Sequence, residues 1–172
     1  MPLYGPSLDS HERSGYFGAE WEITGKTTGS GKIGYVNKDF DDASRADDQL
    51  VSWQGQISWQ PRSYSTVTLT ISRQPAETNG TGSVIESDTN SLVWVHDWRS
   101  YLHSRVTAGF GTEAYGSNPR RDTQRFYSAG VSYDLHRWMN LSASFSHDSR
   151  NSNVGQYDYG RNVYSFSVNV SL

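Results

Sequence analysis

Alternation constrains this chain more than any other feature. Apolar and polar residues exchange places at a period of two, the spacing at which successive side chains leave opposite faces of an extended strand. Tyr164, Phe166, Val168, Val170 and Leu172 share one face, and Ser165, Ser167, Asn169 and Ser171 the other. Met139, Leu141, Ala143 and Phe145 alternate with Asn140, Ser142, Ser144 and Ser146, and Tyr127, Ala129, Val131, Tyr133 and Leu135 with Ser128, Gly130, Ser132 and Asp134. The pattern recurs upstream, in Val67, Leu69 and Ile71 against a run of threonines, and in Phe17, Ala19, Trp21 and Ile23 against Gly18, Glu20, Glu22 and Thr24. No segment sustains a period of 3.6, so helix is expected to be negligible.

Counting such segments predicts nine strands, at 14–24, 31–38, 49–60, 65–73, 90–99, 102–115, 124–135, 138–149 and 161–172. Short connections at 25–30, 61–64, 100–101 and 136–137 take turns with long polar ones at 39–48, 74–89, 116–123 and 149–160. The predicted fold class is therefore all-β, an antiparallel up-and-down meander. Residues 14–172 form the meander, and residues 1–13, with Pro2, Gly5 and Pro6, read as an outer loop or the remnant of a preceding strand.

A mean hydropathy of −0.71 looks too polar for a membrane protein. That objection holds for helices, which need roughly 18 consecutive apolar residues, and no stretch here provides them. A transmembrane β-barrel needs only every second residue apolar, because the other half faces a lumen. Eleven Tyr and six Trp suit the lipid–water interface, where a ring is apolar at one end and wet at the other. In such barrels short turns face the periplasm and long loops face outward. A closed bacterial barrel has an even strand number, and unpaired edges are not tolerated in lipid. Nine strands therefore call for completion, by a tenth strand from residues such as Tyr4 to Leu8, by a second copy pairing edge to edge, or by the remaining strands of a larger barrel, of which the last is favoured.

Several phrases carry a family resemblance: Gly18-Ala19-Glu20-Trp21-Glu22, Asp39-Phe40-Asp41-Asp42, Trp59-Gln60-Pro61-Arg62-Ser63-Tyr64-Ser65, His96-Asp97-Trp98, Tyr133-Asp134-Leu135-His136-Arg137-Trp138 and Tyr157-Asp158-Tyr159-Gly160-Arg161-Asn162. In this order the chain resembles the putative β-barrel porin 2 family, and specifically its C-terminal half. The resemblance implies an outer-membrane channel or export-associated barrel, often linked to exopolysaccharide, in a Gram-negative bacterium. It carries over no catalytic residue.

The residues themselves point away from enzymatic chemistry. With no cysteine there is no thiolate chemistry, disulfide or cysteine-bound metal. His11, His96, His103, His136 and His147 show no metal-ligand spacing, and no Gly-x-Ser-x-Gly elbow supports a triad. Asp39, Asp41, Asp42, Asp47 and Asp48 lack the glycine and closing glutamate of a calcium loop, and Gly29-Ser30-Gly31-Lys32 has no helix behind it to hold phosphate. No catalytic, metal or cofactor site is expected. Net charge is −3 with both signs dispersed, which argues against nucleic acid as a partner.

Function is better sought on the polar face, where Ser, Thr, Gly and Gln dominate. Glu20, Glu22, Lys32, Gln54, Gln56, Arg105, Glu113 and Asp134 are the candidate pore-lining residues. Two readings follow: an outer-membrane barrel passing polar solutes, with outer-membrane lipid and polysaccharide as partners, or a soluble or surface carbohydrate-binding β-sandwich whose apolar faces meet each other.

Overall fold

The computed structural model describes residues 10–40, 48–77, 84–116 and 119–171. Nine strands follow one another in chain order: β1 (Ser10–Thr24), β2 (Thr27–Phe40), β3 (Asp48–Arg62), β4 (Ser65–Glu77), β5 (Val84–Arg99), β6 (Leu102–Tyr115), β7 (Arg121–His136), β8 (Met139–Ser152) and β9 (Tyr159–Val170). They form one sheet in which every strand pairs antiparallel with its sequence neighbours. The β-sandwich reading predicts two packed sheets, and the described residues form one.

Four two-residue turns, at 25–26, 63–64, 100–101 and 137–138, lie at one end of the sheet. Each accepts, through its second carbonyl, a bond from the strand that follows its hairpin or, for the last turn, from the residue just past β9. Lys26 O accepts from Gln60 N at 2.7 Å, Tyr64 O from Asp97 N at 2.8 Å, Tyr101 O from Asp134 N at 2.8 Å and Trp138 O from Ser171 N at 3.0 Å. The opposite strand ends gather at the other end of the sheet, where a 3-10 turn at Gly155–Tyr157 lies between β8 and β9.

Register places the alternation in space. Directly paired residues share a face, so Ile57, Leu69, Leu92, Ala108 and Tyr127 form a continuous apolar row across β3 to β7. Among the described residues only Val36 and Ile85 are buried hydrophobics, whereas Phe17, Ile57, Leu92, Tyr127 and Phe166 are all exposed. A soluble sheet left in this state would present an apolar patch far larger than water tolerates. Along β7 the apolar face runs from Tyr127 to Leu135, and Arg125, Thr123 and Arg121 continue it as polar residues. Nine residues is the span of a tilted membrane strand.

Several boundaries differ from expectation. The turn predicted over 25–30 occupies only Gly25 and Lys26, and β2 already begins at Thr27. Trp21 explains this, because its indole lies across Gly29, where a Cβ would overlap the ring. The loop predicted at 74–89 is largely ladder, since β4 reaches Glu77 and β5 starts at Val84. Arg73 links these arms, bonding Asp88 at 2.7 and 2.8 Å and Glu86 at 2.9 Å. β1 begins at Ser10, four residues before the strand start predicted at residue 14 and within the 1–13 segment read as an outer loop or the remnant of a preceding strand. Residues 1–9 of that segment, and Asp41, Asp42 and Asp47 of the acidic connection, lie outside the described residues.

Candidate functional site on the polar face

The face opposite the apolar row assembles from the intervening residues. One row runs Gly18, Lys32, Gln54, Ser72, Thr89, Gly111, Gln124, Arg150, and the next runs Glu20, Ser30, Gln56, Thr70, Ser91, Gly109, Phe126, Asp148. All eight candidate residues fall on this face. Lys32 and Gln54 are direct partners, while Glu20, Glu22 and Gln56 border one open recess of about 470 Å³ together with Thr28 and Ser30. Arg105 pairs across to Val95 and Gly130, nearer the two-residue turns. Glu113 sits at the long-connection end and Asp134 at the turn end, so the eight share a wall rather than a single pocket.

Close packing on this face relies on missing side chains. Phe126 lies over Gly109 and Tyr16 over Gly34, and in each case a Cβ would overlap the ring and a backbone carbonyl. Lys32 extends its ammonium over Tyr16, 5.6 Å from the ring centre.

The most tightly bound group was not anticipated. At the long-connection end Asp122 is 1 % exposed and Arg120 9 %. Arg120 Nε donates to Asp122 Oδ1 at 2.9 Å and Nη2 donates to Oδ2, a two-point match of guanidinium and carboxylate. The guanidinium is held between two rings, 3.5 Å from the centre of Tyr157 and 4.3 Å from that of Tyr115. Its hydrogen bond to Asp122 raises the Arg120 pKa above the ordinary arginine value. Around it, Tyr115 Oη donates toward Glu113 and Asp122 at 3.2 and 3.3 Å, and Gln124 Nε2 donates to Glu113 at 2.6 Å. Arg150 approaches Glu113 at 3.6 Å and Asp122 at 3.7 Å. Extending the alternation of β7 and β8 would have placed Asp122 and Arg150 on this face. No periodic signal marks Arg120 or Tyr157, which belong to connections.

Toward the turn end His103 contacts Asp97 at 2.6 Å and Asp134 at 3.4 Å, and Asn140 donates to Asp134 at 2.6 Å. On the apolar side of the same end, Tyr64, Trp94, His96 and Trp98 form a chain of ring contacts. The indole nitrogens of Trp94 and Trp98 each donate to a serine hydroxyl, Ser65 and Ser104, at 3.0 Å. An apolar ring with a satisfied N–H is what an interfacial anchor requires.

A sheet with one apolar outward belt, an aromatic girdle and one wettable face defines a bacterial outer-membrane β-barrel protein. The model of the family described as putative beta-barrel porin 2 matches residues 1–172, and the chain belongs to that family. No curated protein matches the sequence. Among solved structures, a loop L8 deletion mutant of OmpT, an outer membrane protein of Vibrio cholerae, is similar with a TM-score of 0.63 at 10 % identity, covering 94 % of this chain and 53 % of that one. In-vitro folded OmpT of Vibrio cholerae is similar with a TM-score of 0.59 at 10 % identity, covering 92 % of this chain and 54 % of that one. The chain thus spans about half the length of the structures it matches.

Proposed function

We propose that the nine strands form part of the wall of a porin-like channel for polar solutes, with polysaccharide as a candidate solute and no catalytic step. The observation that carries this reading is the composition of the polar face. Ser, Thr, Gly or Gln recurs there on each of the nine strands, and such small side chains would fill a narrow barrel poorly. They suit a wide aqueous path, where hydroxyls and amides exchange hydrogen bonds with water or sugar at little net cost. Glu20, Glu22, Lys32, Gln54, Gln56, Arg105, Glu113 and Asp134 then line the path, and the long connections face the cell exterior.

The wall is completed by further antiparallel strands rather than by a second copy. β1 and β9 both run from the long-connection end toward the turn end. Joined to each other, within one chain or between two, they would make parallel seams. An odd number of additional strands restores antiparallel pairing and an even total.

Conductance tests the channel reading. The natural protein reconstituted in planar bilayers is expected to give stepwise ion currents, and vesicles carrying it to swell in oligosaccharides below a size limit. Bilayers as tight as protein-free controls would overturn it.

A further inference from the structure

The lipid-facing side carries a feature that passage of solutes does not explain. Ala108 on β6 stands directly between Leu92 on β5 and Tyr127 on β7, so the apolar row dips where its neighbours project. Leu69 and Phe110 help to wall the resulting shallow, open recess, whose volume is about 640 Å³. At its long-connection end the lining turns polar. Asn90 and Arg125 flank Phe110 on adjacent strands, and both line the recess.

Arg125 is exposed and faces outward at the level where the apolar residues of β7 stop. Its situation differs from that of Arg73, which is matched by Asp88 and Glu86. No carboxylate among the described residues lies within ion-pair distance of the Arg125 guanidinium. Two residues along a strand is a rise of about 7 Å, so this cation adjoins the groove, where Tyr127 forms a wall. A cation at the rim of an apolar furrow, at the edge of a membrane belt, is complementary to an amphiphile with an anionic head.

We propose that this furrow is a binding site for one anionic membrane lipid, its acyl chain lying over Ala108 and its phosphate engaging Arg125. Guanidinium and phosphate match in a two-point, charge-assisted geometry. Acyl burial over Ala108 supplies affinity without headgroup selectivity, and Arg125 supplies the selectivity. The site is independent of whether the opposite face conducts.

Native mass spectrometry of the natural protein, released from detergent after equilibration with an equimolar mixture of phosphatidylglycerol and phosphatidylcholine of identical chains, reads the proposal directly. The expected result is one retained lipid with phosphatidylglycerol favoured about tenfold, the scale of a charge-assisted hydrogen bond. Arg125→Gln should abolish the preference while leaving total retention, and Ala108→Trp should reduce retention of both lipids by filling the furrow. Arg121→Gln, which removes an outward charge further from the furrow, should leave the preference unchanged. Equal retention of the two lipids by the unaltered protein would overturn the proposal. So would a loss of preference in the Arg121 variant as large as in the Arg125 variant, since general surface charge would then suffice. Each variant is first checked for heat-dependent migration on gels, so a folding failure is recognised separately.

Discussion

Asp122 is the most buried charged side chain among the described residues, and its value lies in what it holds. Its carboxylate holds Arg120, and the Arg120 guanidinium lies over Tyr157, so two residues from separate connections are tied to the polar face, alongside the bonds of Asn153 to Arg121 and Pro119. Asp122→Asn removes the charge facing a guanidinium that is itself nearly buried. Stability should fall by about 3 kcal/mol, read from urea unfolding in lipid vesicles. Because the hydrogen bond raises the Arg120 pKa, its contribution is complete below the ordinary arginine range and is lost only as pH rises through the folded value. Unfolding between pH 6 and 9 should therefore show no step from this group. Glycine substitutions on the same face separate two kinds of space. A Cβ at Gly109 meets both the Phe126 ring and the Asn90 carbonyl, and only the ring can rotate away. Gly109→Ala should cost about 1–3 kcal/mol by overpacking. At Gly130 the nearest atom is the Ser144 Cβ at 3.3 Å, so Gly130→Ala should be nearly neutral, its crowding offset by the entropy glycine gives up in a strand.

Strands are the scale at which the sequence was most legible, and the reason is physical. Where one face meets lipid and the other water, every residue is constrained, and the alternation of Tyr127, Ala129, Val131, Tyr133 and Leu135 marks β7 without ambiguity. Beyond the belt both faces are wet. Hydrogen bonding then continues without a hydrophobic pattern, which is why Gln74–Glu77 and Val84–Thr89 read as loop although they are ladder. Lys32, Gln54 and their neighbours were legible as a shared face because face follows from parity alone. The Arg120 clamp was not, because loop residues reach it through tertiary contacts that no local period records. Adjacent positions on β3 test the face assignment. Ile57→Arg places a cation on the lipid side and should cost about 2–4 kcal/mol near the belt's middle, with reduced insertion. Gln56→Arg, one residue earlier, should insert normally and shift ion selectivity toward anions, measured as reversal potential in a salt gradient. Equal insertion defects in both would show that the two faces do not differ.

For the whole molecule the decisive feature is that the sheet has two ends. Phe17 on β1 is 76 % exposed, and Tyr164 and Phe166 on β9 are 78 % and 72 % exposed. Among the described residues their backbones also carry one unpaired edge each, which hydrocarbon does not allow. Both edge strands point the same way, so the route to closure decides the architecture. These 172 residues contain no cysteine, so within this sheet introduced thiols meet no native competitor. Pairs combining Phe17→Cys or Ala19→Cys on β1 with Phe166→Cys or Val168→Cys on β9 would oxidise readily if those strands were neighbours, since adjacent strands bring Cβ atoms within bridging reach. In the natural protein, assembled in vesicles, no β1–β9 disulfide is expected, either within a chain or as a cross-linked dimer. Backbone amides of β1 and β9 should nevertheless exchange with deuterium as slowly as those of the central strand β5, because other strands cover both edges. A disulfide in monomers would mean that β1 and β9 close on each other, and one confined to dimers would mean that two copies complete the wall. Fast exchange at both edges without a disulfide would leave the sheet open, and no aqueous channel could then be lined by this face.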